Sequence, residues 1–143
     1  MIKRLLLACS FAAAMAAANG TPNFRQGFEF GSSGDTEGWA AANSSISADG
    51  GLLTGSVTNG DPQIVRTGFS FPGSASSGLL VRMRSSVNGG ADLFWGRVGA
   101  DNYAAERRVD ANYTGNGEFQ TLFFSCSGDN EWNEQTMTRL RID

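Results

Sequence analysis

The chain has 143 residues, 17% of them charged, with 11 lysines and arginines against 14 aspartates and glutamates and no histidine. The net charge of -3 argues against nucleic acid or an anionic membrane as the main partner, because both recruit basic surfaces. The lack of histidine excludes serine–histidine–aspartate and cysteine–histidine catalysis, and also histidine-ligated metal sites.

The first residues are typical of a secretory signal peptide. Lys3 and Arg4 precede an apolar run, residues 5–18, which ends in small residues and is too short to span a bilayer. We therefore predict a signal peptide over residues 1–18 and a secreted protein, extracellular or periplasmic, without a membrane span.

Cleavage of this signal fits after Ala16 or after Ala18. Residues 19–25 are then expected to form a short disordered leader. Removal of the signal also removes Cys9, so Cys126 has no partner within the chain and is expected to be a small buried strand residue. A disulfide-linked dimer is the alternative, and we expect a monomer.

The remainder of the chain has the pattern of a β protein. Glycine is abundant at 19 residues, proline is scarce at 3, and apolar residues show no helical period. Short apolar alternations are separated by dipeptides that close tight hairpins, namely Asp49-Gly50, Asn59-Gly60, Asn88-Gly89 and Asn116-Gly117. The predicted strands lie near 26–30, 38–47, 51–57, 62–70, 78–86, 91–97, 103–110, 117–126 and 136–142. Their number and spacing predict an all-β, two-sheet antiparallel sandwich over residues 26–143, with a jelly-roll topology favoured.

Alternation within the strands assigns side chains to faces. In GLLVRMRSS, Leu79, Val81 and Met83 are predicted to enter the core, while Arg82 and Arg84 point outward. The closing strand TMTRLRID shows a similar pattern of apolar residues inside and arginines outside.

Strict alternation in that closing strand places Met137 on one face with Arg139 and Arg141. Leu140 and Ile142 fall on the opposite face. This arrangement assigns Met137 and Leu140 to different faces of the sheet.

Aromatic residues mark the first corner and the last loop. Phe28, Phe30, Trp39 and Trp132 are predicted core residues, and Glu29 points away from its two neighbours. The segment ADLFWGR has apolar residues on both faces, so its strand is either central or carries a binding surface.

Several stretches together resemble the galactose-binding-like jelly-roll domains related to bacterial carbohydrate-binding modules. They are FEF…GDTEGW, GLLTGSVTNGDPQI, LLVRMRSS followed by GGADLFW, GEFQTLFFSCSGDNEW and TRLRID. The resemblance covers residues 26–143. It implies a β-sandwich that binds sugar through aromatic and polar side chains on a concave sheet face or in rim loops. It also implies a structural Ca²⁺ where the first and last strands meet.

Sugar binding uses planar rings that stack on C–H faces and fork-shaped donors that hold hydroxyls or carboxylates. The rings least needed for a core are Trp95, Tyr103 and Tyr113. Four arginines would form a cationic stripe suited to an acidic or hydroxyl-rich glycan if the strands that carry them are neighbours: Arg82, Arg84, Arg139 and Arg141. The alternative is that these arginines pair with carboxylates on a solvated sheet.

Calcium would need oxygen ligands. Glu29, the loop 31–35 and Asp143 could meet if the first and last strands pair, as the resemblance implies, and Asp49 is a further donor. The alternative is a hydrogen-bonded corner in which Asp35 or Thr36 caps a turn.

Catalysis would have to rely on a carboxylate pair, since the chain has no histidine. The candidate pairs, Glu131 with Glu134 and Glu106 with Asp110, lie in polar contexts typical of surface acids. We therefore predict a non-catalytic, secreted glycan-binding protein. A structural or adhesive extracellular module with a protein or cell-envelope partner is the alternative, and a small hydrolase is the third hypothesis.

Overall fold

The protein is described by a computed structural model that covers residues 4–13 and 23–143, with side chains from residue 27 onward. Its strands are β1 (Arg4–Ala13), β2 (Asn23–Gly27), β3 (Trp39–Ala42), β4 (Ser44–Asp49), β5 (Leu52–Val57), β6 (Gln63–Arg66), β7 (Phe71–Pro72), β8 (Gly78–Ser85), β9 (Gly89–Arg97), β10 (Arg108–Tyr113), β11 (Gln120–Ser125) and β12 (Thr136–Ile142). A 3₁₀ turn spans Gly73–Ala75, and the short helix α1 spans Asn130–Asn133. The prediction of an all-β protein is confirmed.

The strands of the described residues form two antiparallel sheets. Sheet A has the order β11-β8-β1-β5-β4, with β2 beside β1, and sheet B has the order β10-β9-β12-β6-β3, with β7 beside β12. Buried residues from both sheets form one core cluster, to which Leu53 and Val81 contribute from sheet A and Leu93 and Leu140 from sheet B. The jelly-roll and galactose-binding-like topology stays a prediction.

The predicted core residues of β8 are confirmed. Leu79, Val81 and Met83 are buried, while Arg82 and Arg84 are exposed. The aromatic anchors are also confirmed, since Phe28, Phe30, Trp39 and Trp132 are buried. Period-two alternation was sufficient for the three β8 positions because a regular strand turns successive side chains to opposite faces, whereas Phe28, Phe30 and Trp132 lie outside the strands.

The face assignment in β12 is wrong at one position. A β-bulge lies between Met137 and Arg139 in the pairing with β9. The extra residue moves Met137 into the core, where Leu140 and Ile142 are also buried. A bulge changes the phase of the alternation, so the sequence pattern alone placed Met137 on the arginine face.

The predicted strand 38–47 is divided into two strands that lie in different sheets. Asn43 separates β3 from β4 with a φ of 53°. Asparagine tolerates this left-handed conformation better than most residues. The break lets the chain pass from sheet B to sheet A within one residue.

Strand β1 lies at the centre of sheet A, between β5 and β8. Leu5 pairs with Gly55 on one side and with Ser85 on the other. This strand comes from the segment predicted to be a signal peptide, and its removal on secretion stays a prediction. The cleavage positions Ala16 and Ala18, and residues 19–22 of the predicted leader, lie outside the described residues.

Cys126 is a free, buried thiol among the residues that the structure describes. Burial raises the pKa of this thiol far above its ordinary value, which makes it unreactive. Within the described part of the chain, no helix has the length and apolar character needed to cross a bilayer.

Candidate functional site

The structure places the predicted ligand-binding residues in four different locations. Trp95 lies in the core, Arg82 and Arg84 lie on the outer face of sheet A, and Tyr103, Arg139 and Arg141 lie together against sheet B. Tyr113 lines a cavity between the sheets. The fold therefore separates side chains that the sequence pattern had grouped together.

Trp95 is fully buried, with 0% of its surface exposed. Its ring meets that of Trp132 edge to face, at a centroid distance of 5.3 Å. The indole N–H donates to the backbone carbonyl of Glu131 at 3.1 Å. The ring therefore packs inside the protein and offers no face to a sugar in this conformation.

The arginines do not form a single stripe, because β8 and β12 belong to different sheets. Arg82 and Arg84 stack over the ring of Phe119, at 4.7 and 5.1 Å from its centroid. Their proposed neighbours Arg139 and Arg141 lie on β12. The sequence could not reveal this separation, since sheet membership depends on long-range pairing.

Arg139 and Arg141 are engaged with carboxylates, as the alternative interpretation expected. Arg139 holds Asp101 through two contacts of 3.1 and 2.5 Å, and Arg141 contacts Asp143 at 2.5 Å. The hydrogen bond from Thr138 lowers the pKa of Asp101, and Arg139 lowers it further.

The rings on this face are covered by guanidinium groups. Arg141 lies 4.3 Å from the ring centroid of Phe94 and 4.9 Å from that of Tyr103. The Tyr103 hydroxyl donates to the carbonyl of Leu140 at 3.3 Å, and burial raises its pKa. Cation–π stacking already occupies these ring faces. The contacts on this face of sheet B therefore serve mainly to stabilise the fold.

A cavity of about 520 Å³ opens between the two sheets. Its buried walls are apolar and come from both sheets: Ile64, Val81, Met83, Ala91, Leu122, Phe124 and Ile142. Its size and mixed lining are those of a small-molecule site. We call the group Asp61, Asn88, Tyr113 and Asp143, which lines the more accessible part, the cavity mouth.

The loop before β6 sets the position of Asp61. The backbone of Asp61 is left-handed, with a φ of 55°. Its carboxylate accepts a hydrogen bond from the Gln63 side chain at 2.7 Å, and its carbonyl accepts one from the Asn43 side chain at 3.1 Å. Aspartate adopts this conformation more readily than bulky residues. The bond from Asn43 holds the backbone of the loop, and the bond from Gln63 orients the carboxylate.

Tyr113 and Asn88 are held on the opposite side by sheet pairing and a tight loop. Tyr113 pairs with Gly89 across β9 and β10. A side chain at Gly89 would lie only 2.5 Å from the Tyr113 hydroxyl, so the ring passes directly over this glycine. The Asn88 side-chain oxygen accepts from the backbone N–H of Gly115 at 2.7 Å, which leaves its NH₂ group able to donate.

Asp143 follows β12 and is fixed by its backbone. Its N–H and carbonyl exchange hydrogen bonds with Asp92 at 3.0 and 3.2 Å. One carboxylate oxygen contacts Arg141, while the other, Oδ1, is buried without a hydrogen-bond partner in the described residues. Burial raises the pKa of Asp143 despite the lowering effect of Arg141. A buried acceptor without a partner costs free energy, so a hydroxyl donor at this position would be stabilising.

The predicted calcium ligands are not brought together. Glu29 and Asp49 lie near the turn before β5, since the Glu29 carbonyl adjoins Gly51. Asp143 lines the cavity, whereas neither Glu29 nor Asp49 does so. Among the described residues, no group of three or more candidate ligands could hold a metal ion.

The far end of the two sheets carries a cluster around Arg107, a residue that the sequence analysis did not single out. Arg107 is 4% exposed and donates to the carbonyls of Trp95 and Asn102 at 3.3 and 2.9 Å. Glu131 accepts from Arg97 at 2.7 Å, which lowers the pKa of Glu131. We call the group Trp95, Trp132, Arg107 and Glu131 the tryptophan end. No local motif indicated that Arg107 would be buried.

Asp61 and Asn88 were also missed as site residues. Asp61 follows the predicted turn dipeptide Asn59-Gly60, and Asn88 is the first residue of the predicted turn dipeptide Asn88-Gly89. A polar turn residue carries no sign that its loop borders a cavity. The turn dipeptides were therefore the only sequence signal for Asp61 and Asn88.

Comparison with protein-family models, with curated proteins and with solved structures gives no match. The structure itself defines the class of protein: an all-β protein with two antiparallel sheets and a cavity between them. Its resemblance to galactose-binding-like domains is a prediction from the sequence.

Proposed function

We propose that the protein is a non-catalytic carbohydrate-binding protein that holds a sugar at the cavity mouth. One observation carries this proposal: an open cavity between the sheets is bordered by an aromatic ring and by polar groups that are able to hydrogen-bond with hydroxyls. The resemblance to carbohydrate-binding modules supports the same class of ligand.

The chemistry of the cavity mouth suits a pyranose. The Tyr113 ring is half-buried and can cover the C–H face of a sugar. The carboxylates of Asp61 and Asp143 accept hydrogen bonds from hydroxyls, and the Asn88 amide donates to them. Apolar walls below these groups accommodate the C–H face or an apolar substituent.

The charge of this site favours a neutral glycan. Asp61 and Asp143 both line the cavity, and no lysine or arginine does so among the described residues. An acidic sugar would be repelled by the Asp61 carboxylate, while the charge of Asp143 is compensated by Arg141. Of the two ligand classes expected from the sequence, the hydroxyl-rich glycan is therefore favoured over the acidic one.

The test is retention on a panel of neutral and acidic polysaccharides, using the secreted protein. Tyr113→Ala should weaken binding about tenfold, the effect of losing about 1.4 kcal/mol of stacking. Tyr103→Ala is the matched control, because that ring lies on the outer side of sheet B under Arg141. Failure of the native protein to bind any glycan would refute the proposal.

Calcium is tested in the same assay by chelation. A structural Ca²⁺, as the resemblance implies, would make both retention and the unfolding temperature fall on addition of a chelator. Unchanged values would remove calcium from the proposed function.

Glycoside hydrolysis is the second candidate, and one observation favours it. Asp61 and Asp143 line one cavity, and Asp61 contributes to raising the pKa of Asp143. Two carboxylates in one cavity are the usual catalytic arrangement of glycosidases. Release of reducing sugar that is lost in Asp143→Asn would establish hydrolysis, whereas binding without release supports the leading proposal.

A further inference from the structure

The centre of sheet A is filled by a strand that secretion is predicted to remove. β1 (Arg4–Ala13) pairs with β5 along Arg4–Leu7 and with β8 along Leu5–Ala12. We call this position between β5 and β8 the central slot. Without β1, the two strands would lie about 10 Å apart, twice the usual spacing, and their facing N–H and C=O groups would lack partners.

We infer that, once the signal peptide is removed, residues 23–30 of the same chain move into the central slot and take the place of β1. The last residue of this segment, Phe30, lies beside Gly51, just before the start of β5. The Gly51 N–H already donates to the Phe30 carbonyl at 3.1 Å. The inference depends on the predicted cleavage and not on the ligand of the cavity.

That hydrogen bond fixes the register of the exchanged strand. β1 pairs Leu7 with Leu53, and the same antiparallel register continues to Cys9 opposite Gly51. With Phe30 opposite Gly51, Phe30 occupies the position of Cys9, whose partner on β8 is Val81. Residues 23–30 then run along the same path, and in the same direction, as β1.

This register places apolar residues against the core. Phe28 falls opposite Leu53 and Met83, each of which is 1% exposed. Phe24, Gln26, Phe28 and Phe30 alternate with Arg25, Gly27 and Glu29, which is the pattern of a strand with one buried face. A shift by one residue would turn the phenylalanines outward, so the pattern fixes which face is buried, while the hydrogen bond between Gly51 and Phe30 fixes the register.

The outer face of the slot offers a complementary charge. The register places Glu29 opposite Arg82, the β8 residue that pairs with Ala8 of β1. In the present arrangement, Arg82 stacks on Phe119 and makes no ion pair with the carboxylates of the described residues. The exchange would bring a carboxylate to this cation across adjacent strands.

The backbone of the segment is strained where it now turns away from the sheet. Phe30 has a φ of 49°, which is unfavourable for a bulky residue. Its N–H is held by the Glu37 carboxylate at 2.7 Å, and the Glu29 N–H by the same group at 3.0 Å. Extension into the slot would relieve the left-handed conformation and replace these bonds by sheet pairing.

A disulfide tests the proposed register. Glu29→Cys with Arg82→Cys is introduced in a Cys9→Ser background, so that Cys126 is the only other thiol. The full chain, purified without export, is compared with the secreted, processed protein after mild oxidation, with intact masses confirming each form. We expect the two introduced cysteines to cross-link in the processed protein. We expect at least about tenfold less cross-link in the unprocessed chain, where β1 keeps the two positions too far apart for a disulfide.

The matched control combines Glu29→Cys with Arg84→Cys, which lies two residues further along β8 on the same face. This diagonal pair would be about 7–8 Å apart, so its cross-link should be weak. No cross-link of Glu29→Cys with Arg82→Cys in the processed protein, or equal cross-linking in both forms, would overturn the inference.

Amide hydrogen exchange on the processed, unsubstituted protein provides an independent measurement. A filled slot predicts slow exchange of the β5 and β8 amides that face it. Fast exchange would show that the slot is open. Slow exchange that appears only in a dimer would show that a second copy fills it, and either result would overturn the inference.

Discussion

The tryptophan end and the cavity mouth lie at opposite ends of β8 and β9 and use their polar groups differently. At the tryptophan end, each indole N–H has a carbonyl partner, at 3.1 Å for Trp95 and 2.8 Å for Trp132. At the cavity mouth, Asp143 keeps a buried oxygen without a partner among the described residues. The first end is closed by satisfied polar groups and stabilises the fold, whereas the second leaves groups available for a ligand.

The largest loss of stability should come from truncation at the tryptophan end. Trp132→Ala removes a fully buried ring that packs on Trp95 and Phe71. We expect the free energy of unfolding to fall by about 3–5 kcal/mol, measured by chemical denaturation. Phe123→Ala, at a ring that is 39% exposed, is the control and should cost far less. Similar losses for both variants would contradict the comparison.

Removal of the buried cation at the same end should have the next largest effect. Arg107→Ala leaves the carbonyls of Trp95 and Asn102 without their donor. The expected loss is about 2–4 kcal/mol, because buried polar groups lose their partners. Arg108→Ala, at the next position in the chain, is a matched control, since the Arg108 side chain is 46% exposed. An equal effect of the two substitutions would show that burial of Arg107 does not matter.

A smaller effect is expected from Glu131, and it should depend on pH. The hydrogen bond from Arg97 lowers the pKa of Glu131 below its ordinary value of 4.5. Its stabilising contribution is therefore present above that value and is lost as the pH falls through the lowered folded pKa. Glu131→Gln should lower the unfolding temperature at pH 7, and the difference from the native protein should vanish in strong acid. A difference that is independent of pH would contradict this explanation.

The smallest effect is expected from Asp143, and it should have the opposite sign. Burial raises the pKa of Asp143 above its ordinary value of 3.8, so its ionisation opposes folding. Stability is then favoured below 3.8 and decreases as the pH rises through the raised folded pKa.

Asp143→Asn should therefore lose less stability at pH 7 than Glu131→Gln, or gain slightly, as measured in paired thermal unfolding scans. Loss of the contact with Arg141 limits any gain. If both substitutions destabilise the protein equally at pH 7, the two ends do not differ in the way that we describe.

Local sequence patterns were reliable wherever a strand was regular. The alternation in β8 placed Leu79, Val81 and Met83 in the core, and the structure buries all three. The same rule failed at Met137, because a bulge in β12 changes the phase of alternation. A bulge depends on pairing with the neighbouring strand, so it leaves little trace in a single segment.

The candidate site was less predictable than the core. Tyr113 was predicted as a ligand-binding ring and does line the cavity, whereas Trp95 was predicted with it and is buried. Asp61 and Asn88 gave only the signal of polar turns. Two loops that are far apart in the chain meet at the cavity mouth, and their meeting is a property of sheet order.

The sequence by itself determined the all-β class, the core of the regular strands and several turn positions, because these follow from side-chain periodicity and local backbone preference. Only the tertiary structure decided which sheet holds each arginine, that Arg107 is buried, and that Asp61 and Asp143 share a cavity. Those features depend on contacts between distant segments, whose free energy is set by packing and desolvation rather than by neighbouring residues in the chain.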